Sequence, residues 1–182
     1  ALVVDGALRH QQALVIEGSR ITHIEPDARV PVLPGDWEVA AAGRLLTPGR
    51  MVESSRFSEL RAGLTERSAI TAVSAWVCAQ HLLSGATRVN EAGADSGFDE
   101  VAHRLGLKTG PASPLELNVG ATADLILNDV VVPSLPRLTQ LLTGVAVAWV
   151  ITDGQVRVRE RKLVGVDLLA LARDCAQALS GP

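Results

Sequence analysis

Gly43-Arg44-Leu45-Leu46-Thr47-Pro48-Gly49, continuing directly into Arg50-Met51-Val52-Glu53-Ser54, is the stretch on which the reading of this chain turns. Everything before it reads as strand and turn, and the segment after it as helix. Leu45-Leu46 is a short apolar strand, and Pro48-Gly49 is a break that neither a helix nor a central strand tolerates. The break therefore reads as a boundary, with a first segment over 1–49. Residues 50–54 are equally informative, because they contain no histidine.

On the N-terminal side, Leu2 to Val4 is a strand ending in the turn pair Asp5-Gly6. Ala13-Leu14-Val15-Ile16 leads to Gly18-Ser19, and Arg20-Ile21-Thr22-His23-Ile24 alternates like a half-buried strand. A loop punctuated by Pro26, Pro31, Pro34 and Gly35 comes next, and Glu38-Val39-Ala40 reads as one more short strand.

On the C-terminal side, Thr65 is the expected N-cap of a helix carrying Ile70, Val73, Trp76, Val77 and Leu83 at helical spacing, with Gly85 as its stop. Ala86 to Val89 is a short strand. A second helix begins near Ser96 and buries Phe98, Val101, Ala102 and Leu105. Its acids Asp99 and Glu100 lie in the first turn, and His103 and Arg104 in the last, as the helix dipole favours. Strands return at Ala123 to Leu127 and Val145 to Thr152, and Asp153-Gly154 is the hairpin turn into Gln155 to Val158. Asp167 caps a last helix with Leu168, Leu171, Ala172, Cys175 and Leu179 on one face.

Composition narrows the function classes. The chain has 182 residues, of which 47% are hydrophobic, so a sizeable core is expected rather than global disorder. A formal charge of -3 and 3% aromatics with no Tyr speak against a nucleic-acid or anionic-membrane partner. The longest apolar run, near Val145 to Ile151, is too short to span a bilayer. The first residues lack the pattern of a signal peptide. Cys78 and Cys175 read as buried thiols, and the expected location is cytoplasmic.

Two distant segments resemble the amidohydrolase superfamily, nearest to its chlorohydrolase and aminohydrolase (deaminase) branch. The first covers Ala1 to Gly49, with Val15-Ile16-Glu17-Gly18-Ser19-Arg20-Ile21-Thr22-His23-Ile24 and Leu45-Leu46-Thr47-Pro48-Gly49. The second covers Leu115 to Val166, with Gly120-Ala121-Thr122-Ala123-Asp124-Leu125-Ile126-Leu127 and Val150-Ile151-Thr152-Asp153-Gly154-Gln155-Val156. More weakly, Leu64 to Glu91 and Phe98 to Lys108 resemble the first barrel helix, the second barrel strand and the helix after it. The resemblance implies a mixed α/β fold. A composite β-sandwich would be built from residues 1–49 and 115–166, a partial barrel-like helix–strand–helix segment would occupy 50–114 as a remnant of a (β/α)8 barrel, and a C-terminal helix would fill 167–182. Barrel strands three to eight are not represented.

The activity implied by resemblance is metal-dependent hydrolysis, deamination or other C–N cleavage, with zinc or iron. The His-x-His pair that the resemblance calls for after Gly49 is missing. The four histidines, His10, His23, His81 and His103, show neither His-x-His nor His-x-x-x-His spacing, and each reads as a surface or capping residue. Glu53, Glu59 and Glu66 form no ligand set. No residue is therefore assigned as catalytic or as a metal ligand. Asn90 and Glu91 are the candidate substrate-binding residues, since barrel chemistry sits at the C-terminal ends of strands. Asp124 is given a turn or packing role, and Arg157, Arg159, Arg161 and Lys162 a solvated strand face.

Two functions lead, with a third, weaker reading as a small-ligand binder using the cleft between sandwich and helices, for which no constellation of residues speaks. One is an amidohydrolase-type enzyme whose remaining barrel lies outside these residues. The other is a short non-catalytic partner or regulatory subunit, a homo-oligomer or one whose exposed helix faces a protein partner covers.

Overall fold

The structure, a computed structural model, describes residues 1–4, 7–111, 115–130 and 146–180. The expected turn at Asp5-Gly6, the joint at 112–114 and Val145 lie outside the described residues.

The two chain ends meet in one sheet. Its strands are β1 (Leu2–Val4), β2 (Ala7–Arg9), β5 (Leu45–Pro48), β9 (Leu125–Asn128), β10 (Val147–Thr152), β11 (Gln155–Arg159) and β12 (Lys162–Leu163), in the order β12-β11-β10-β9-β5-β1-β2. All pairings are antiparallel except β1 with β5. The central strand β9 pairs Pro48 with Leu125 and Leu45 with Asn128. All four of its residues are buried, as a strand covered on both faces requires. Asn128, the polar one, spends its amide on Thr47 Oγ1 at 3.1 Å.

One face of this sheet carries the hairpin of β3 (Gln12–Glu17) and β4 (Arg20–Pro26). Ile21 of the hairpin packs with Leu2, Val4, Leu117, Ala123 and Leu125. The β10–β11 turn has positive φ at both Asp153 (50°) and Gly154 (74°), the mirror-image turn that suits the twist of a hairpin. That turn presses so closely on the β3–β4 turn that a Cβ on Gly154 would lie 1.9 Å from the Gly18 carbonyl oxygen.

The other face carries the segment between β5 and β9. Its strands β6 (Arg50–Ser54), β7 (Ala86–Glu91) and β8 (Lys108–Thr109) form a parallel sheet in chain order. Between them run α1 (Arg56–Arg61), α2 (Arg67–Leu83) and α3 (Ser96–Leu105), and α4 (Leu168–Ser180) packs on α2. One apolar cluster joins the layers: Val73, Val77 and Leu82 of α2, Phe98 and Val101 of α3, Val89 of β7, and Ile126, Val147 and Val150 of the mixed sheet. Phe57 of α1 meets Phe98 with ring centroids 4.7 Å apart. Among the described residues no helix is long and apolar enough to cross a membrane.

Several expectations change. The stretch directly after Gly49 is not helical but strand β6, held by five parallel partners on β7. The segment 50–111 runs strand, two helices, strand, helix, strand, rather than helix–strand–helix, and Lys108 belongs to a strand instead of the preceding helix. Three parallel strands are described and no closed barrel is formed by them. Thr65 lies outside α2, whose N-cap is Glu66 with no side-chain capping bond. Glu38 to Ala40 is not a strand, having alternation but no pairing partner. Leu179 is 44% exposed, and Ala178 takes its place against the core. Arg157 does not face solvent fully: its Nε donates to Thr152 Oγ1 at 3.1 Å, whose own hydroxyl donates to the Gly106 carbonyl at 2.6 Å. Arg159 lies over Trp37 and Trp149.

Gly49, at the passage from the mixed sheet into the parallel one, is closely packed. A Cβ there would come within 2.1 Å of Thr87 Oγ1 on the buried strand β7. Gly49→Ala is expected to destabilise the protein by about 1–3 kcal/mol through overpacking, read as a lower urea midpoint; an unchanged midpoint would mean that the two sheets are not in close contact there.

The N-cap of α3 gives a pH dependence. Asp95 accepts from Phe98 N–H at 3.0 Å and meets Arg61 at 2.6 Å. The Phe98 bond, then the Arg61 charge, hold its carboxyl below the ordinary 3.8. A lowered folded-state value means stability that is complete above the unfolded value and lost as pH falls through the folded one. Asp95→Ala is expected to cost about 1 kcal/mol at pH 7, in the usual range for a cap. The difference from wild type should close as the pH drops below about 4, the aspartate reference. A pH-independent difference would assign the cost to packing instead.

Candidate functional site

Strand alternation sets what each residue at the C-terminal ends of β6 and β7 can face. Val89 and Glu91 of β7, beside Val52 and Ser54 of β6, turn toward the helices. Arg88 and Asn90, beside Met51 and Glu53, occupy the opposite, open face. Asn90 is exposed there, and so is its neighbour Glu53. Glu91 is 7% exposed on the helix side. The two candidate substrate-binding residues are adjacent in sequence and lie on opposite faces, so the fold does not bring them together.

Glu91 has a full set of contacts. Its Oε1 accepts the Phe57 N–H in the first turn of α1 at 2.9 Å. Its Oε2 lies 3.2 Å from His81 Nε2. The carboxylate thus bridges the N-terminus of α1 and the last turn of α2. His81 is thus buried and paired rather than a surface or capping residue, whereas His10, His23 and His103 are exposed. The signal for His81 was available: Ser74, Val77, Cys78, His81 and Leu82 make a single buried stripe at helical spacing.

Cys78, on the same stripe, is fully buried. Burial pushes its thiol far above the ordinary value, and the Glu91 and Asp99 charges push the same way. Cys175 is also buried and raised by burial.

Asp124 anchors a second polar group below the strands. It is 3% exposed. Its Oδ2 accepts from Lys108 Nζ at 2.7 Å, and its Oδ1 from the Asp153 N–H at 2.9 Å. Lys108 also meets Asp153 Oδ1 at 2.8 Å. The turn and packing role expected of Asp124 is what these contacts give it.

The donors do not suit zinc or iron. A protein-bound zinc takes three or four nitrogen, sulfur or oxygen ligands at about 2 Å. Among the described residues no three His, Cys, Asp or Glu side chains converge. The nearest pair, His81 and Glu91, faces the helices, and one of its carboxylate oxygens is taken by a backbone N–H.

His81→Ala should lower stability by about 1–3 kcal/mol, since it strips a buried carboxylate oxygen of its side-chain partner. Chemical unfolding tests this; an unaltered free energy would show that solvent reaches Glu91.

No protein-family model matches the chain, and no curated protein sequence matches it. Among solved structures it is similar to an adenosine deaminase from Xanthomonas campestris with bound Zn, at 10% identity. The alignment covers 93% of this chain and 93% of that one, with a TM-score of 0.72. At this identity the likeness is one of fold: a mixed α/β arrangement of the kind found in that deaminase, with a large mixed sheet and four α-helices among the described residues.

Proposed function

We propose that this chain is an amidohydrolase-type scaffold whose reaction class is hydrolysis of a carbon–nitrogen bond, deamination foremost. The supporting observation is architectural. A parallel β/α segment, β6 to β8, is inserted between β5 and β9 of a mixed sheet built from both chain ends, and a zinc-bearing deaminase has a similar fold.

In this reading the described residues supply support and one substrate-facing edge, not the metal donors. Asn90, exposed on the open face, keeps the role of a substrate contact. Glu91 acts behind it, fixing α1 and α2 to the end of β7 through Phe57 and His81. Zinc or iron would need donors beyond this set, so no chemical step is assigned to these residues.

The donor mismatch also favours a second reading, a non-catalytic partner or regulatory subunit. Its exposed apolar side chains, Leu169 at 76% and Val164 at 50%, would then be covered by a second copy or another protein.

Metal content, ammonia release and light scattering on one preparation separate these readings. The hydrolytic reading expects ammonia release from an aminopurine or aminopyrimidine once zinc is supplied; a 182-residue chain that holds substoichiometric zinc and iron and releases none under those conditions favours the second reading. One tightly bound metal per chain, with ammonia release abolished by His81→Ala, would overturn the donor assignment. A monomer of 19.1 kDa would remove the oligomeric form of the second reading.

A further inference from the structure

The open face of the parallel sheet holds a cation that the fold leaves without a counter-charge. Arg88 of β7 is half-buried and has no carboxylate partner among the described residues. Its Nε is buried with no hydrogen-bond partner, and its Nη1 makes one long bond, 3.4 Å to the Pro111 carbonyl. At that length the bond is weak. A part-buried charge without compensation is costly, and such a group calls for an explanation.

Arg88 borders a cavity of about 330 Å³ between the parallel sheet and the segment 115–124. Lys108, its cross-strand neighbour on β8, lines the same space, with Asn118 and the turn through Gly120 opposite. Arg20 clamps that turn from the hairpin side, donating to the Gly120 carbonyl at 2.9 Å. The two carboxylates in the lining are already engaged. Asp124 is held by Lys108 and by the Asp153 N–H, and Glu116 accepts from Asn118 at 2.7 Å. Lys108 has three N–H donors and uses two of them on Asp124 and Asp153. The cationic donors still free in the cavity are the guanidinium of Arg88 and the third N–H of Lys108, while Glu116, exposed and bonded through Oε2 alone, forms an acceptor edge on the side of Asn118.

We propose that this cavity binds a small oxyanion, a carboxylate or a phosphate, held by the guanidinium fork of Arg88 and the free N–H of Lys108. The planar fork matches both anions, so the geometry names their shared chemistry. The site lies beside the first residues of β8 and the third of β7, away from the strand ends that carry Asn90 and Glu91, and does not depend on the hydrolytic reading.

Calorimetric titration of the full chain with inorganic phosphate, and separately with malonate, tests the assignment against sodium chloride at matched ionic strength. Saturable one-to-one binding is expected for at least one of the two, and which one names the source. Arg88→Gln should weaken it roughly 10- to 100-fold, the loss expected for hydrogen bonds to a charged group. Arg88→Lys, which keeps the charge and loses the fork, should weaken it less. If the Gln variant loses its far-UV circular dichroism, the Lys variant carries the comparison, and unchanged affinity in it overturns the proposal. Absence of saturable binding to either anion, or equal binding by wild type and Arg88→Gln, also overturns it.

Discussion

The carboxylate of Asp124 is the constraint on which the arrangement of the two sheets depends. Burying an ionised carboxylate is unfavourable unless charge and hydrogen bonds compensate it. Here Lys108 supplies the charge, and the Asp153 N–H a second bond. Its backbone carbonyl accepts from Gly49 N–H at 2.7 Å. One residue thus ties the exit of β5, the start of β8 and the β10–β11 turn to a single point. The apolar cluster supplies most of the burial, but such contacts are non-directional. Directed bonds at Asp124 fix how the parallel segment sits on the mixed sheet.

Support and chemistry are separated in this molecule. At the ends of β6 and β7, the side chains that turn toward the helices are committed to structure: Glu91 to Phe57 and His81, and Ser54 to the Arg56 N–H. Side chains on the open face, Glu53 and Asn90, are exposed. The alternation that buries Glu91 leaves Glu53 as the carboxylate on that open face at these strand ends, one donor where a zinc site takes three or four.

Much of the fold was legible because local signals and tertiary contacts agreed. Asp153-Gly154 gave the hairpin, Gly85 a helix end with left-handed φ, and Asp167 caps α4 through the N–H groups of Leu169 and Ala170. The features that were not legible depend on partners. β8 is two residues long and exists only through its pairing with Arg88 and Val89. Residues Glu38 to Ala40 carry the alternation of a strand but no strand pairs with them. In the site, the opposite orientation of Asn90 and Glu91 follows from the period of a strand and could have been read. The His81–Glu91 contact joins two elements across a turn, and the lack of an ion pair at Arg88 among the described residues depends on what the fold places around it. Neither is encoded locally.

The register at the neck of the inserted segment has an evolutionary consequence. Pro48 and Leu125 are direct partners in the mixed sheet, so the chain leaves the sheet and returns to it at neighbouring points. Opposed residues of an antiparallel pair lie about 5 Å apart. To the sheet, everything between them is a closed loop, and doubling the length of a flexible loop costs only about 0.6 kcal/mol in closure entropy. Closure at this neck therefore tolerates segments of very different length, provided that they cover Ile126, Val147 and Val150 as this one does. The mixed sheet is in this sense a socket, and what is plugged into it can vary as long as Gly49 and Asp124 seat the base and a cation takes the place of Lys108.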